Sequence, residues 1–180
     1  MALRDAFSLS CKLSDRVNCK KATAVRKIDF EFKSDLGASE TLSTTSSTAM
    51  TPSGVTIDSV TLSGTKAKMA LSGGAAPKSY AGTATDDKLT SATHGLTDGE
   101  TVQVIQDGGT LPAGLVTDRT YYVVSGTAND LKLAKTSGGT AIDITADGTC
   151  KIGLVHLVEV KIVTSASQTV WGAGLIQMSN

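Results

Sequence analysis

The chain has 180 residues, enough for one large domain or two small ones. Its 17 basic and 17 acidic side chains give a formal net charge of zero. This argues against binding to nucleic acid or to an anionic membrane mainly by electrostatic attraction. Only 4% of the residues are aromatic, and Gly, Ser and Thr are abundant, so the composition favours short strands and turns over long helices.

The sequence contains no sign of membrane insertion or secretion. No run of about 18 apolar residues occurs, so we expect no membrane span. The first residues do not place a basic segment before an apolar core, so we expect no secretory signal. We expect the chain to be synthesised in the cytoplasm.

Residues 1–24 form the most charged stretch and are predicted to be a terminal docking arm. Leu9, Leu13 and Val17 recur at helical spacing, whereas Phe7 and Leu9 fit a strand, so a short helix and an extended segment both remain open. Terminal segments become ordered when something ties them down, and we expect a partner protein to do so. The predicted docking residues are Leu3, Phe7, Leu9, Leu13 and Val17.

The three cysteines are Cys11, Cys19 and Cys150. A zinc site usually needs four closely spaced ligands, and His94 and His156 are the only histidines, so we expect no metal and no cofactor. Two alternatives remain for the thiols. They are free and inert, or Cys11 or Cys19 forms a disulfide with a neighbouring chain.

From Val25 onwards the pattern changes to short strands. In KIDFEF, Ile28, Phe30 and Phe32 share one face, and KAKMAL places Ala67, Met69 and Leu71 together. ETLSTTSSTAM and VTIDSVTL supply two further strands, and turns rich in Gly, Pro and Ser separate the four. Strands at this spacing predict a β-sandwich.

The sandwich pattern is interrupted and then resumes. LVHLVEVKIVT and TVWGAGLIQM form a predicted closing hairpin, in which Glu159 and Lys161 mark the polar face and His156 therefore belongs to the core. We predict an all-β fold with an arm at 1–24, a discontinuous sandwich at 25–82 and 153–180, and a second small β domain inserted at 83–152.

No catalytic motif accompanies these strands. The sequence lacks G-x-S-x-G and both glycine-rich phosphate-binding patterns. His94, in THGL, is predicted to cap or pack a tight turn. The acidic residues lie at predicted turns, where local hydrogen bonds favour Asp, so paired-carboxylate catalysis and a calcium site have little support. These acids are Asp86, Asp87, Asp98, Glu100, Asp107 and Asp118.

Two segments carry a resemblance to bacteriophage proteins. The sandwich segments, with Gly54–Ile57, Leu71–Gly74 and the SASQ turn at 165–168, resemble an immunoglobulin-like family of tailed-phage virion proteins, although that turn lacks the family's usual Gly. The middle segment resembles a second module of phage structural and tail-associated proteins. Its motifs are HGLTDGETV at 94–102, GTLPAGL at 109–115, TYYV at 120–123 and LAKTSGGTAIDIT at 133–145.

The resemblance implies a non-enzymatic structural accessory protein of a tailed phage. It implies a place in the virion, as capsid decoration, at the neck or collar, or on the tail surface. The arm and sandwich are expected to dock on capsid, neck or tail proteins, and the inserted module to face outward. A homo-oligomer and an inter-chain disulfide remain open, and neither nucleic acid nor membrane is an expected partner.

The alternative function is a phage appendage module that binds glycans or proteins of the host surface. Tyr121, Tyr122 and Trp171 are the candidate stacking residues for a glycan. The competing interpretation places Tyr122 and Trp171 in the core.

Overall fold

The computed structural model describes residues 26–117 and 119–177, except for the side chain of Arg26. These residues form strands, turns and loops without a helix, and so contain no helix that is long and apolar enough to cross a membrane. The prediction of an all-β fold is confirmed, whereas the immunoglobulin-like topology and the inserted domain stay predictions. The strands are β1 Arg26–Glu31, β2 Leu42–Thr51, β3 Val55–Ser63, β4 Lys66–Gly73, β5 Lys78–Thr83, β6 Lys88–Thr90, β7 Thr101–Ile105, β8 Thr120–Val124, β9 Asp130–Ala134, β10 Gly148–Thr164 and β11 Thr169–Gln177.

The described residues divide into two compact units. One unit comprises 26–74 and 156–176, and the other comprises 75–155 with Gln177. We call them the discontinuous unit and the barrel unit. Strand β10 contributes its first residues to the barrel unit and its last residues to the discontinuous unit.

The barrel unit is a ring of six strands. Strands β5, β6, β9, β8 and β7 pair in that order, and the first half of β10 pairs with both β5 and β7. This double pairing closes the sheet, and closure satisfies the backbone groups that an open edge would expose. The interior is filled by buried side chains of the alternating strands. The buried cluster consists of Tyr80, Leu89, Val102, Val104, Leu115, Tyr121, Val123, Leu131, Leu133, Ile144, Cys150 and Ile152.

The discontinuous unit contains six antiparallel strand segments. Strands β1, β4 and β3 form a three-stranded sheet, and the second half of β10 pairs with β2 and with β11. The predicted faces are confirmed for Phe30, Phe32, Ala67, Met69 and Leu71, which are all buried, whereas Ile28 on β1 is half-buried. In the half of β10 that belongs to this unit, His156, Val158, Val160 and Ile162 are buried, as the positions of Glu159 and Lys161 predicted, and Thr164 is buried as well.

Strand β11 places Gly172 and Gly174 on the side that faces the interior. A Cβ atom on Gly172 would lie 2.9 Å from Cζ of Phe32 and 3.1 Å from Cδ1 of Phe30, so the phenyl rings occupy the space beside this glycine. Alternation then directs Trp171 outward, and its side chain is 56% exposed. The interpretation that placed Trp171 in the core is therefore wrong.

The SASQ turn before β11 contains no glycine, and Ser167 takes the conformation that a glycine would adopt there. Ser167 adopts the left-handed conformation with φ of 61°, which glycine takes most readily. Its backbone N–H donates to the Thr164 carbonyl at 2.9 Å, and the Thr164 N–H donates to the Gln168 carbonyl at 2.8 Å. These two bonds hold the hairpin turn between β10 and β11.

Two neighbouring glycines of β11 give a matched test of this packing. We expect Gly172→Ala to lower the free energy of unfolding by about 1–3 kcal/mol, because the new methyl group overlaps the phenyl rings. Gly174→Ala is the control, because its Cβ would meet Phe30 at an ordinary 3.5 Å. Urea unfolding followed by the emission of Trp171, the sole tryptophan, measures both variants. Equal stability of the two variants would contradict the packing described.

Candidate functional site

The predicted docking residues and two of the three cysteines lie outside the described residues. This group consists of Leu3, Phe7, Leu9, Cys11, Leu13, Val17 and Cys19. The docking arm and the inter-chain disulfide therefore stay predictions. The described residues contain the histidines, most of the acidic side chains, Cys150 and the aromatic candidates.

His94 supports a turn of the barrel unit with both ring nitrogens. The Leu96 backbone N–H donates to Nδ1 at 3.0 Å, and Nε2 lies 3.3 Å from the Asp130 carbonyl oxygen, so this nitrogen carries the hydrogen. The ring is 6% exposed and lies beside Tyr80, with a centroid separation of 5.9 Å. With both nitrogens bonded to the backbone, His94 packs the turn as predicted.

His156 is buried in the discontinuous unit. Its Nδ1 donates to the Pro52 carbonyl oxygen at 2.8 Å, and the side chain is 2% exposed. The bond links β10 to the residue that follows β2. A buried polar ring with a backbone partner of this kind stabilises a loop.

The acidic side chains near the turns bond mainly to backbone amides. Asp98 accepts from the Gly126 N–H at 2.7 Å, Asp87 accepts from the Ile144 N–H at 2.8 Å, and Glu100 accepts from the Thr97 N–H at 2.7 Å. Asp86 instead pairs with Lys88 at 3.2 Å. Asp118 lies outside the described residues. These bonds fix loops, in agreement with the turn interpretation of the sequence.

Ser79, Asp107 and Lys151 form a polar cluster in the barrel unit. The Ser79 hydroxyl donates to Oδ2 of Asp107 at 2.7 Å, and Lys151 pairs with Oδ1 of the same carboxylate. Lys151 and then Ser79 lower the pKa of Asp107 from its ordinary value of 3.8. Because the lysine is held by a carboxylate and the hydroxyl is already donating, the cluster ties β5 and β10 to the loop after β7 rather than activating the serine.

Cys150 points into the barrel and is fully buried. Burial, with a smaller effect of the Asp107 charge, raises the pKa of its thiol to about 12. Reactivity requires the thiolate, which is scarce at such a pKa. For Cys150, the geometry supports the free and inert alternative.

The three aromatic candidates differ in their surroundings. Tyr121 is fully buried, and its hydroxyl accepts from the Val116 N–H at 2.9 Å and donates to the Val116 carbonyl at 3.1 Å. Its proposed role in stacking on a glycan is therefore wrong. Tyr122 is half-buried, so its assignment to the core holds only in part. Trp171 alone of the three is largely exposed.

Trp171 belongs to an apolar surface that we call the β11 outer face, consisting of Trp171, Ala173 and Leu175. Trp171 and Leu175 are 56% and 48% exposed. The ammonium of Lys161 lies 5.6 Å from the centroid of the indole ring, a cation–π contact. Beside the ring is an open groove of about 280 Å³, lined also by Ser47, Ala49, Glu159 and Lys161.

The barrel unit has a second groove. The second groove, of about 340 Å³, lies on the barrel unit between Lys135 and Asp143, and no histidine, cysteine or aromatic side chain lines it. Across the described ranges, no three His, Cys, Asp or Glu side chains cluster as metal ligands would. The β11 outer face is therefore the candidate functional surface.

One protein family matches part of the chain. The family is described as “Podophage GP4 fiber-tail adaptor protein gp77”, and the match covers residues 20–86 of the 180. This stretch contains strands β1 to β5. No curated protein and no solved structure matches the chain. The family match supports the prediction of a phage virion protein.

The polar cluster of the barrel unit predicts an acid-dependent loss of stability. Since folding depresses the pKa of Asp107, its contribution is present above pH 3.8 and is lost as the pH falls through the lower folded value. We expect Asp107→Asn to lower the unfolding temperature near neutral pH and to have no effect in strong acid. Calorimetry across this pH range measures the difference.

Asp143→Asn is the control for the loss of one negative charge, because Asp143 is exposed and contacts neither Ser79 nor Lys151. A constant difference between Asp107→Asn and the unchanged chain at all pH values would show that ionisation of Asp107 does not stabilise the fold.

Proposed function

We propose that this chain is a non-enzymatic structural accessory protein of a tailed-phage particle, located at the tail and joining a fibre to it. The observation that carries the proposal is the match of residues 20–86 to the fiber-tail adaptor family. Its partners in this role are other tail proteins, and its place of action is the virion.

The geometry of the polar groups supports a structural role. Both histidines bond to backbone groups, and Cys150 is buried with a raised pKa. The Ser79 hydroxyl donates to a carboxylate that Lys151 already neutralises. In each case the polar group is committed to the fold, whereas catalysis requires groups held ready for a substrate.

The proposed architecture follows from the same role. An immunoglobulin-like sandwich of residues 25–82 and 153–180, together with the arm at 1–24, fastens the chain to the tail, and the inserted domain at 83–152 is presented outward. The two compact units support a discontinuous arrangement of this kind, although they divide at 74/75 and 155/156, so that β5 belongs to the barrel unit. An insertion whose ends lie close together costs little loop-closure entropy.

The alternative of a glycan-binding module has less support. Tyr121 is buried inside the barrel, so the inserted segment presents only the half-buried Tyr122. Trp171 is exposed but lies in the discontinuous unit, and the Lys161 ammonium is positioned over its ring. A sugar that stacked on that side of the indole would have to displace the lysine.

The copy number and location of the chain test the proposal. We expect quantitative mass spectrometry of purified particles to give about a dozen copies or fewer, because closed tail rings contain few subunits. We also expect the chain to remain with tails that are separated from capsids. Hundreds of copies that remain with the capsid would instead identify a capsid decoration protein. Absence from the particle would remove the virion function.

The docking arm predicts a specific loss of incorporation. We expect deletion of residues 1–22, and the double substitution Leu9→Asp with Leu13→Asp, to abolish incorporation into particles, because both remove apolar contacts with the partner. The matched control is Ser10→Asp with Ser14→Asp, which adds the same charge at neighbouring polar positions. Particles assembled in a complementation assay and probed by immunoblot give the measurement. Normal incorporation of the deleted chain would show that the arm is not the anchor.

A further inference from the structure

Strand β11 has an edge that, from Thr169 to Ile176, pairs with no other strand of the described chain. It pairs with β10 on one side, and within residues 26–117 and 119–177 it has no second neighbour in its sheet. Its nine residues, TVWGAGLIQ, include no charged side chain and no proline. Natural proteins usually protect exposed edges with such residues, because an unprotected edge pairs with another strand.

The side chains beside this edge are apolar as well. Trp171 and Leu175 are 56% and 48% exposed, and Ala173 lies between them on the β11 outer face. On the opposite side of the strand, Gly172 and Gly174 lie against the ring of Phe30. Exposure of two large apolar side chains on an unpaired edge is typical of a surface that becomes covered in an assembly.

The sequence of β11 has approximate mirror symmetry about Ala173. Gly172 and Gly174 flank it, Trp171 corresponds to Leu175, and Val170 corresponds to Ile176. When two copies of a strand pair in antiparallel fashion across a two-fold axis, each residue faces the residue at the mirrored position. The symmetry places large apolar side chains opposite one another and keeps the glycines opposite glycines.

We propose that β11 pairs with β11 of a second copy of this chain, antiparallel, with the two-fold axis at Ala173. Each Trp171 then lies opposite Leu175 of the second copy, on the same face of a sheet that continues through both chains. Directly opposed side chains in an antiparallel pair have Cβ atoms about 4.5–5.5 Å apart, close enough for this contact. The zero net charge of the chain adds no long-range repulsion between copies.

The symmetry of the strand favours a second copy over a different protein. A partner of another sequence would place no mirror constraint on β11, whereas self-pairing requires that both halves of the strand suit one another. The contact depends only on β11. The proposed self-pairing can therefore be tested independently of the proposed location at the tail.

Substitution at the axis gives the test. We expect the full chain to be a dimer by light scattering in reducing buffer, and Ala173→Lys to be a monomer, because it places two ammonium groups opposite each other. Ala173→Glu is expected to be a monomer for the same reason. An equimolar mixture of the two variants is expected to return to the dimeric mass, because Lys then faces Glu.

Ser43→Lys is the control, because it adds the same charge to an exposed position of β2, on the other edge of this sheet. It is expected to remain a dimer. A second readout is the emission of Trp171. We expect it to shift to shorter wavelength when the chain dimerises, and this shift to disappear on dilution. The shift is expected to be absent in Ala173→Lys. The circular dichroism of each variant shows that the strands are retained.

Several outcomes would overturn the proposal. These are a full chain that is monomeric at high micromolar concentration, a dimer that Ala173→Lys leaves intact, and a mixture of the Lys and Glu variants that stays monomeric. An indole shift that occurs only after purified tail proteins or a host glycan are added would assign the edge to that ligand instead.

Discussion

The structure depends on one strand, β10, whose 17 residues take part in both compact units. Its first half closes the six-stranded ring by pairing with β5 and β7, and it places Cys150 and Ile152 in the barrel core. Its second half pairs with β2 and buries Val158, Val160 and Ile162. Without β10 the ring would open and β2 would lose its partner among the described strands. An interruption of this strand, such as a proline at a paired position, would therefore affect both units.

Local alternation allowed the faces of several strands to be predicted, because each large apolar residue has polar neighbours. Phe30 on β1, Phe32 directly after it, and Met69 and Leu71 on β4 are buried as that pattern indicates. The same rule failed on β11, where glycines occupy the inner positions and every side chain beside them is apolar. The inward side is then set by the phenyl rings of Phe30 and Phe32, which are distant in sequence, so the local pattern left Trp171 open between the core and the surface.

Ring closure lay beyond prediction from local patterns for a related reason. The pairing of Lys151–Leu154 with Val102–Ile105 joins segments separated by about fifty residues, and no local pattern specifies which strands meet.

Likewise, the site residues could be predicted only in part. Turn chemistry correctly suggested that His94 would pack a turn, whereas the β11 outer face depends on long-range packing. The arm residues from Leu3 to Val17 lie outside the described residues, so their role remains a prediction.

The two units differ in the strand edges that they leave open to a partner. In the barrel unit the described strands form a closed circuit, so backbone groups there are already paired and any partner would have to be recognised by loops. The discontinuous unit ends in open strands, and β11 is the one that combines an open edge with exposed Trp171 and Leu175. The residues 20–86 that match the adaptor family also supply strands β1 to β4 of this unit. The proposed pairing with a second copy would use this edge and the apolar side chains beside it.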